Sequence, residues 1–157
     1  MSFDIFLAGF SHGKHCDLAR DPFRAVLHKH KLEPCGDECY NVYFEDGSHV
    51  EADVSGLDGP GAFDCCAFYI IHNSDAIVRF IFELAAAGRG ALFPTMEGPP
   101  CILVDAALRQ HLPPDLGFIV VECPSPEELV RFLRGGYQDW SAYRDFVVNK
   151  YGTPDPK

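Results

Sequence analysis

The feature that most constrains the fold is the alternation of apolar and polar residues in CYNVYFEDGSHVEADV, residues 39–54. The even-numbered positions carry the apolar side chains: Tyr40, Val42, Phe44, Val50, Ala52 and Val54. Successive side chains of a strand point to opposite faces, so both halves can share one core only if even residues pair with even residues. A three-residue loop, Glu45-Asp46-Gly47, with Gly47 left-handed, meets this condition and pairs Phe44 with Ser48. The sequence therefore predicts a β-hairpin whose outer face carries Asn41, Tyr43, His49, Glu51 and Asp53.

Other apolar segments have the length and pattern of strands. SFDIFLAGF at 2–10 alternates in the same way, and CCAFYIIH at 65–72 is rich in aromatic and β-branched residues, as expected of a central strand. Shorter strands are predicted in GALFP, CILVD and GFIVVEC.

Helices are predicted where apolar residues recur at helical spacing behind a capping residue. Asp21 as N-cap and Pro22 in the first turn predict a short helix over 22–31. Asn73 or Ser74 precedes the pattern DAIVRFIFELAAAG, which ends at Gly88. AALRQHL predicts a helical turn or two, and Ser125 with Glu128 forms a capping box for EELVRFLR.

The order of these elements predicts an α+β fold, with a mainly antiparallel sheet and helices packed on one face. Residues 1–150 are expected to form a single domain, and 151–157 a frayed tail. A final helix after Gly136 carries Trp140, which faces either the core or a partner; its aromatic residues at helical spacing favour the core.

Charge is concentrated in one part of the chain. No Lys or Arg lies between Lys31 and Arg79, and the acids of that interval equal the formal net charge of −10. These acids are Glu33, Asp37, Glu38, Glu45, Asp46, Glu51, Asp53, Asp58, Asp64 and Asp75. Nucleic acid is therefore excluded as an expected partner, because phosphate binding needs basic patches.

Targeting signals and cysteine usage bear on the compartment. The sequence shows neither an apolar run of transmembrane length nor a signal peptide, so we expect a cytoplasmic protein without membrane contact. The seven cysteines show no repeating framework, and no obligatory disulfide is expected.

Two short motifs raise the question of a metal. HGKHC contributes His12 and His15, and CGDEC contributes Cys35 and Cys39, which together form an alternative zinc set. The histidine spacing is short and a predicted helix separates the two motifs, so the sequence favours neither a metal nor any other cofactor.

Candidate catalytic groups are few. Glu51 and Asp53 lie roughly 7 Å apart on one strand face and could act as an acid/base pair or hold a divalent ion, although the stretch does not match a calcium loop. Cys65-Cys66, and Cys16 beside His15, are possible thiol nucleophiles. Cys65 and Cys66 begin an apolar strand in the part of the chain without Lys or Arg, where thiolate formation is disfavoured, and Cys16 is only a weak candidate. No catalytic residue is therefore assigned.

The remaining hypothesis is a docking surface for a basic protein. Clustered acids accelerate encounter with a positively charged partner, and aromatic side chains among them supply anchoring contacts. The predicted partner-binding residues are Tyr43, Glu45, Asp46, His49, Glu51, Asp53 and Asp58, with Tyr40 nearby.

A resemblance points the same way. The opening MSFDIFLAGF and the stretch LFPTMEGPPCILVDAALRQHLPPDL are similar to segments of small, largely uncharacterised bacterial proteins that open M-S-F-D-[IVL] and carry a P-P turn, an apolar strand and an H-L-P-P stop. These proteins are of the immunity-protein type found beside polymorphic or contact-delivered toxins. The resemblance implies a non-catalytic toxin inhibitor acting by stoichiometric binding, with a basic nuclease as one candidate toxin. It covers about a quarter of the chain and carries no active-site residues.

Three interpretations remain open from the sequence. The chain is a toxin-neutralising binding protein, a small metal-dependent hydrolase that uses Glu51, Asp53 and nearby histidines, or a structural homo-oligomer.

Overall fold

The structure is a computed structural model that describes residues 3–72, 74–96 and 100–134. Its strands are β1 (Phe3–Ser11), β2 (Lys14–His15), β3 (Lys31–Gly36), β4 (Cys39–Tyr43), β5 (His49–Asp53), β6 (Cys65–Ile70), β7 (Gly90–Pro94), β8 (Pro100–Leu103) and β9 (Ile119–Glu122). Its helices are α1 (Arg20–Leu27), α2 (Asp75–Gly88), the 3-10 helix η1 (Ala106–His111) and α3, which is described over 126–134.

All nine strands belong to one sheet. The order across it is β3-β4-β5-β6-β1-β7-β8-β9, and β2 pairs with the end of β1. The β8–β9 pair is parallel and the other pairs are antiparallel. The prediction of an α+β fold with a mainly antiparallel sheet is confirmed.

The hairpin from residue 39 to residue 53 has the predicted register. Val42 pairs with Val50 and Tyr43 with His49, so even residues face even residues. Gly47 has a φ of 84°, and the Phe44 backbone N–H donates to the Ser48 carbonyl over 3.0 Å. Val42, Val50 and Ala52 are fully buried, as the alternation requires.

The main core lies between the sheet and three helices. Ile5, Leu7, Phe68 and Leu92 project from one face of the sheet, and they pack against side chains of α1, α2 and α3. Among those helix side chains are Phe23, Ile77, Phe80, Leu84 and Leu129. The prediction of helices on one face holds for these three but not for η1. Leu108 of η1 packs on the opposite face, over Ala8 and Leu103, because β1 and β8 are apolar on both sides there.

The segment 20–36 differs from the prediction. The helix predicted over 22–31 is α1, Arg20–Leu27; its N-cap is Ala19, and Asp21 lies in the first turn. Residues 31–36 form β3, an edge strand that the sequence did not predict. Pro34 argues against a central strand but is tolerated at an edge, where its missing N–H is not needed.

Most other predicted elements are present. Strand β6 is flanked by β5 and β1, as expected of a central strand, and α2 begins after Ser74 and ends at Gly88. The Glu128 N–H donates to Ser125 Oγ over 3.2 Å, which confirms the capping box. The predictions for Asn73, for the Trp140 helix and for 151–157 fall outside the described residues. No helix within the described ranges combines the length and apolarity needed to cross a bilayer.

The loop between β5 and β6 is held by one guanidinium group. Arg20 Nη1 donates to the carbonyls of Gly56, Leu57 and Gly59 over 2.7, 3.2 and 3.0 Å, and Nη2 donates to Gly61. Nη2 also pairs with Asp17 at 2.9 Å. The side chain is 24% exposed, so these carbonyls are largely shielded from water by the group that satisfies them.

We expect Arg20→Ala to lower the free energy of unfolding by about 1.5–3 kcal/mol, because it leaves partly buried carbonyls without a donor. Urea unfolding followed by circular dichroism measures this. Arg79→Ala is the control, since the Arg79 side chain forms a surface ion pair with Glu127 whose loss should cost about 1 kcal/mol or less. Equal losses in the two variants would show that Arg20 does not hold the loop.

Candidate functional site

The face of the sheet opposite α1, α2 and α3 is divided into two parts. Over β7, β8 and β9 it is apolar and is covered by η1 and the segment that follows it. Over β4, β5, β6 and the first half of β1 it is polar, and no described helix packs on it. We call this second part, together with Glu33 of the neighbouring strand β3, the open face; its other residues are Asp4, Phe6, Cys39, Asn41, Tyr43, His49, Glu51, Asp53, Cys65, Ala67 and Tyr69.

The register of the strands aligns the open face in two rows. One row runs across five strands through Glu33, Asn41, Glu51, Tyr69 and Asp4. The other runs through Cys39, Asp53, Ala67 and Phe6 and continues to Phe93. Neighbouring strands are about 4.8 Å apart, so residues far apart in sequence form one continuous surface.

The carboxylates of the open face lack cationic partners. Among the described residues, Asp4, Glu33, Glu51 and Asp53 form no ion pair with any Lys, Arg or His. Burial, followed by the charges of Asp53, Asp4 and Glu51, raises the pKa of the Tyr69 hydroxyl above its ordinary value. The open face therefore carries clustered carboxylates whose charge no ion pair among the described residues neutralises.

Aromatic side chains adjoin these acids. Phe6 is 36% exposed in the middle of the sheet, and its neighbour Phe93 lies 5.4 Å from the ring of Phe118. Tyr69 lies half-buried between Glu51 and Asp4. Phe6 was not among the predicted partner-binding residues. An apolar residue at an outward position of β1 could have indicated that it belongs to this surface.

Tyr43 and His49 form a cross-strand pair at one end of the open face. Their rings are 5.4 Å apart, and His72 lies 5.0 Å beyond His49. Lys31 Nζ sits 5.8 Å from the centre of the Tyr43 ring and is a cation at this edge. Both predicted residues therefore lie on the surface to which they were assigned.

The other predicted partner-binding residues are distributed differently. Glu51 and Asp53 are on the open face, whereas Glu45 and Asp46 lie in the adjoining hairpin turn. Asp58 lies in the loop between β5 and β6, where Arg24 Nε donates to it over 2.9 Å. Its charge is thus paired by α1, and it does not contribute to the open face.

Asp46 connects the hairpin turn to the start of α2. It accepts hydrogen bonds from the Ser48 N–H over 2.9 Å and from the Ser74 hydroxyl over 2.6 Å. The Ser48 hydroxyl donates to the same carboxylate, and these bonds lower the pKa of Asp46 to about 2. Asp46 therefore stabilises the contact between the hairpin turn and the start of α2, in addition to carrying a negative charge.

We expect Asp46→Ala to lower the midpoint of thermal unfolding at pH 7. The lowered pKa means that this stabilisation is present above the unfolded value near 4 and is lost as the pH falls through about 2. The difference from the wild-type protein should therefore shrink between pH 4 and pH 2, as measured by calorimetry. Glu45→Ala, in the same turn, should show little effect, and an Asp46→Ala difference independent of pH would contradict this assignment.

The predicted zinc ligands are separated. Cys35, Cys39 and Glu51 place their ligand atoms within 4.8 Å of one another, and His12 and His15 are not among them. His12 lies against His111, and His15 stacks on Phe10 at the far end of β1, three strand spacings from β4. The combination of His12 and His15 with Cys35 and Cys39 is therefore not a single site.

The candidate nucleophiles are thiols in unfavourable surroundings. Burial and neighbouring acids raise the pKa of Cys16 and of Cys65, and burial raises that of Cys66 well above its ordinary value. Each group is therefore protonated near neutral pH, as the scarcity of positive charge predicted.

A separate groove of about 730 Å³ lies between the hairpin and α2. Lys29 and Arg79 line it, but each is paired with an acid, Glu83 at 3.4 Å and Glu127 at 3.1 Å. Three basic and three acidic side chains line the groove in total, so its formal charge is zero and it offers less to a charged ligand than the open face does.

Comparison with known proteins adds no functional assignment. No family model matches the chain, and no curated protein or solved structure is significantly similar to it.

Proposed function

We propose that the protein is a non-catalytic binding protein that neutralises a basic protein toxin by stoichiometric docking on the open face. One observation carries the proposal: carboxylates without an ion-pair partner, the exposed Phe6 ring and the half-buried Tyr69 share one sheet surface that no described helix covers. The resemblance of the opening and of residues 92–116 to immunity-type proteins supports the same function.

The charge of the surface suits a partner that binds nucleic acid. A nuclease toxin has a basic cleft, and its inhibitor must compete with phosphate for that cleft. Clustered carboxylates accelerate the encounter with such a basic partner, and they repel acidic proteins. Asp4, Glu33, Glu51 and Asp53 supply this charge, and none of them forms an ion pair among the described residues.

The aromatic side chains would supply affinity once the encounter has occurred. Interface energy concentrates in a few central aromatic or Arg residues that become fully desolvated. Phe6 and Tyr69 lie in the middle of the sheet and are bordered by the acids, which is the arrangement of an anchor inside a polar rim.

The two competing functions are less well supported. Self-association through the open face would bring like charges together, which opposes a homo-oligomer formed there. An acid/base role for Glu51 and Asp53 needs a shielded site, whereas these residues alternate along a strand face that no described helix covers. The cytoplasm is the proposed compartment, and the seven free thiols are consistent with its reducing conditions.

Co-expression with the neighbouring toxin domain, meaning the C-terminal domain of the protein encoded by the adjacent upstream gene, tests the function. We expect growth inhibition by that domain to be relieved and a one-to-one complex to elute on size exclusion. Toxicity that persists when both proteins are expressed and folded, or a metabolic enzyme encoded at that position, would contradict the proposal.

A further inference from the structure

Three side chains from three adjacent strands converge at one end of the open face. Cys35 lies on β3, Cys39 on β4 and Glu51 on β5. Glu51 Oε1 is 3.6 Å from Cys35 Sγ and 3.7 Å from Cys39 Sγ, and the two sulfurs are 2.9 Å apart. A carboxylate in contact with two thiols is a donor set that the proposed docking function does not require.

We propose that Cys35, Cys39 and Glu51 bind one zinc ion with a fourth position open to solvent or to a partner. Two thiolates and one carboxylate are ordinary zinc ligands, and Cys-x3-Cys lies within the usual ligand spacing. Three protein ligands leave tetrahedral zinc with one exchangeable site. This inference does not depend on the proposed docking function, because the ligands belong to this chain alone.

The distances support a tetrahedral ion. Sulfur at about 2.3 Å and oxygen at about 2.0 Å from tetrahedral zinc are separated by roughly 3.5 Å. The distances of 3.6 and 3.7 Å from Glu51 Oε1 to the two sulfurs match that separation closely. Two sulfurs on the same ion are roughly 3.7 Å apart, so the thiols must separate by somewhat less than about 1 Å on binding.

The local backbone gives the thiols room to make that adjustment. The β3–β4 register shifts between Pro34 and Gly36, so Cys35 lies at a bulge on an edge strand, and its side chain is exposed. A bulge re-aims a side chain relative to the regular pleat, and here it brings Cys35 beside Cys39. Bound zinc would tie the edge strand β3 to β5 across β4.

The surrounding charge favours a cation. Asp53 is the cross-strand partner of Cys39. Glu33 lies two residues before Cys35 in the sequence, and it belongs to the same row of the open face as Glu51. Neither acid has a cationic partner among the described residues. A divalent ion would offset this repulsion and stabilise the thiolates that metal binding requires.

Zinc titration of the reduced full chain tests the proposal, with native mass spectrometry for stoichiometry and a chromophoric chelator for affinity. We expect one zinc ion per chain. Cobalt(II) in place of zinc should give thiolate charge-transfer absorption and the visible bands of a tetrahedral site. Cys39→Ser should weaken binding by more than the roughly 10–100-fold that loss of a mere supporting residue costs, and Glu51→Gln should weaken it measurably.

Matched controls separate this site from others. Cys65→Ser removes an exposed thiol of the open face, and Glu83→Gln removes an exposed carboxylate of α2; both should bind zinc like the wild-type protein. Circular dichroism establishes that each variant is folded, and Glu51→Gln preserves the side-chain shape. The absence of stoichiometric zinc binding, or wild-type affinity in folded Cys39→Ser, would overturn the proposal.

Discussion

Replacement of Glu51 and Asp53 together by lysine is expected to slow association with the neighbouring toxin domain by roughly tenfold to a hundredfold at low salt. The two carboxylates lie on β5 within the open face, so their reversal turns attraction into repulsion on the surface where we propose that a basic partner docks. The dependence of the association rate on ionic strength should flatten as well. Stopped-flow mixing at a series of salt concentrations measures both effects.

The matched control reverses two acids on the helix side of the molecule. Glu83→Lys with Glu127→Lys makes the same change in net charge, and both residues sit in exposed ion pairs that contribute little to stability. We expect a much smaller effect on the association rate, because these acids lie away from the open face. If the two double variants slow association equally, net charge rather than a defined face governs the encounter.

Phe6→Ala is expected to weaken the complex by about 2 kcal/mol or more, which corresponds to roughly 30-fold faster dissociation. Its exposed ring lies between Ala67 and Phe93 and is the apolar centre of the acidic surface. The association rate should change little, because no charge is altered. Surface plasmon resonance separates the two rates.

Phe6→Tyr is the companion variant, since it keeps an aromatic ring at this position and should therefore bind almost as tightly as the wild-type protein. Urea unfolding shows whether Phe6→Ala affects binding or only the fold. Dissociation as slow as that of the wild-type protein, in a folded variant, would remove Phe6 from the interface.

The hairpin could be predicted in detail because local and long-range constraints agree there. Alternation and the Gly47 turn each require even residues to pair with even residues, and the register shows that pairing. The segment 20–36 was predicted less accurately than the hairpin. Strand β3 is stabilised by pairing with β4 at an edge, and no local pattern around Pro34 reveals that pairing.

Only the part of the open face that lies on the β4–β5 hairpin could be predicted from the sequence. Tyr43, His49, Glu51 and Asp53 followed from their shared outward positions. Phe6, Tyr69 and Asp4 join them through the pairing of β1 with β6, which depends on tertiary structure. Asp58 was predicted to belong to the same surface because it is close to Asp53 in sequence. It lies instead in the loop between β5 and β6, where it forms an ion pair with Arg24. Cys35 approaches Glu51 because of a β-bulge between Pro34 and Gly36, and no sequence pattern predicts that bulge.

Carboxyl footprinting of the complex tests the central claim most directly. The free protein and its complex with the neighbouring toxin domain are labelled with a carbodiimide and an amine, and each carboxylate is quantified by mass spectrometry. We predict that labelling of Glu33, Glu51 and Asp53 falls in the complex while that of Glu83 and Glu127 stays unchanged. Protection of Glu83 and Glu127, with Glu51 and Asp53 still labelled, would contradict docking on the open face.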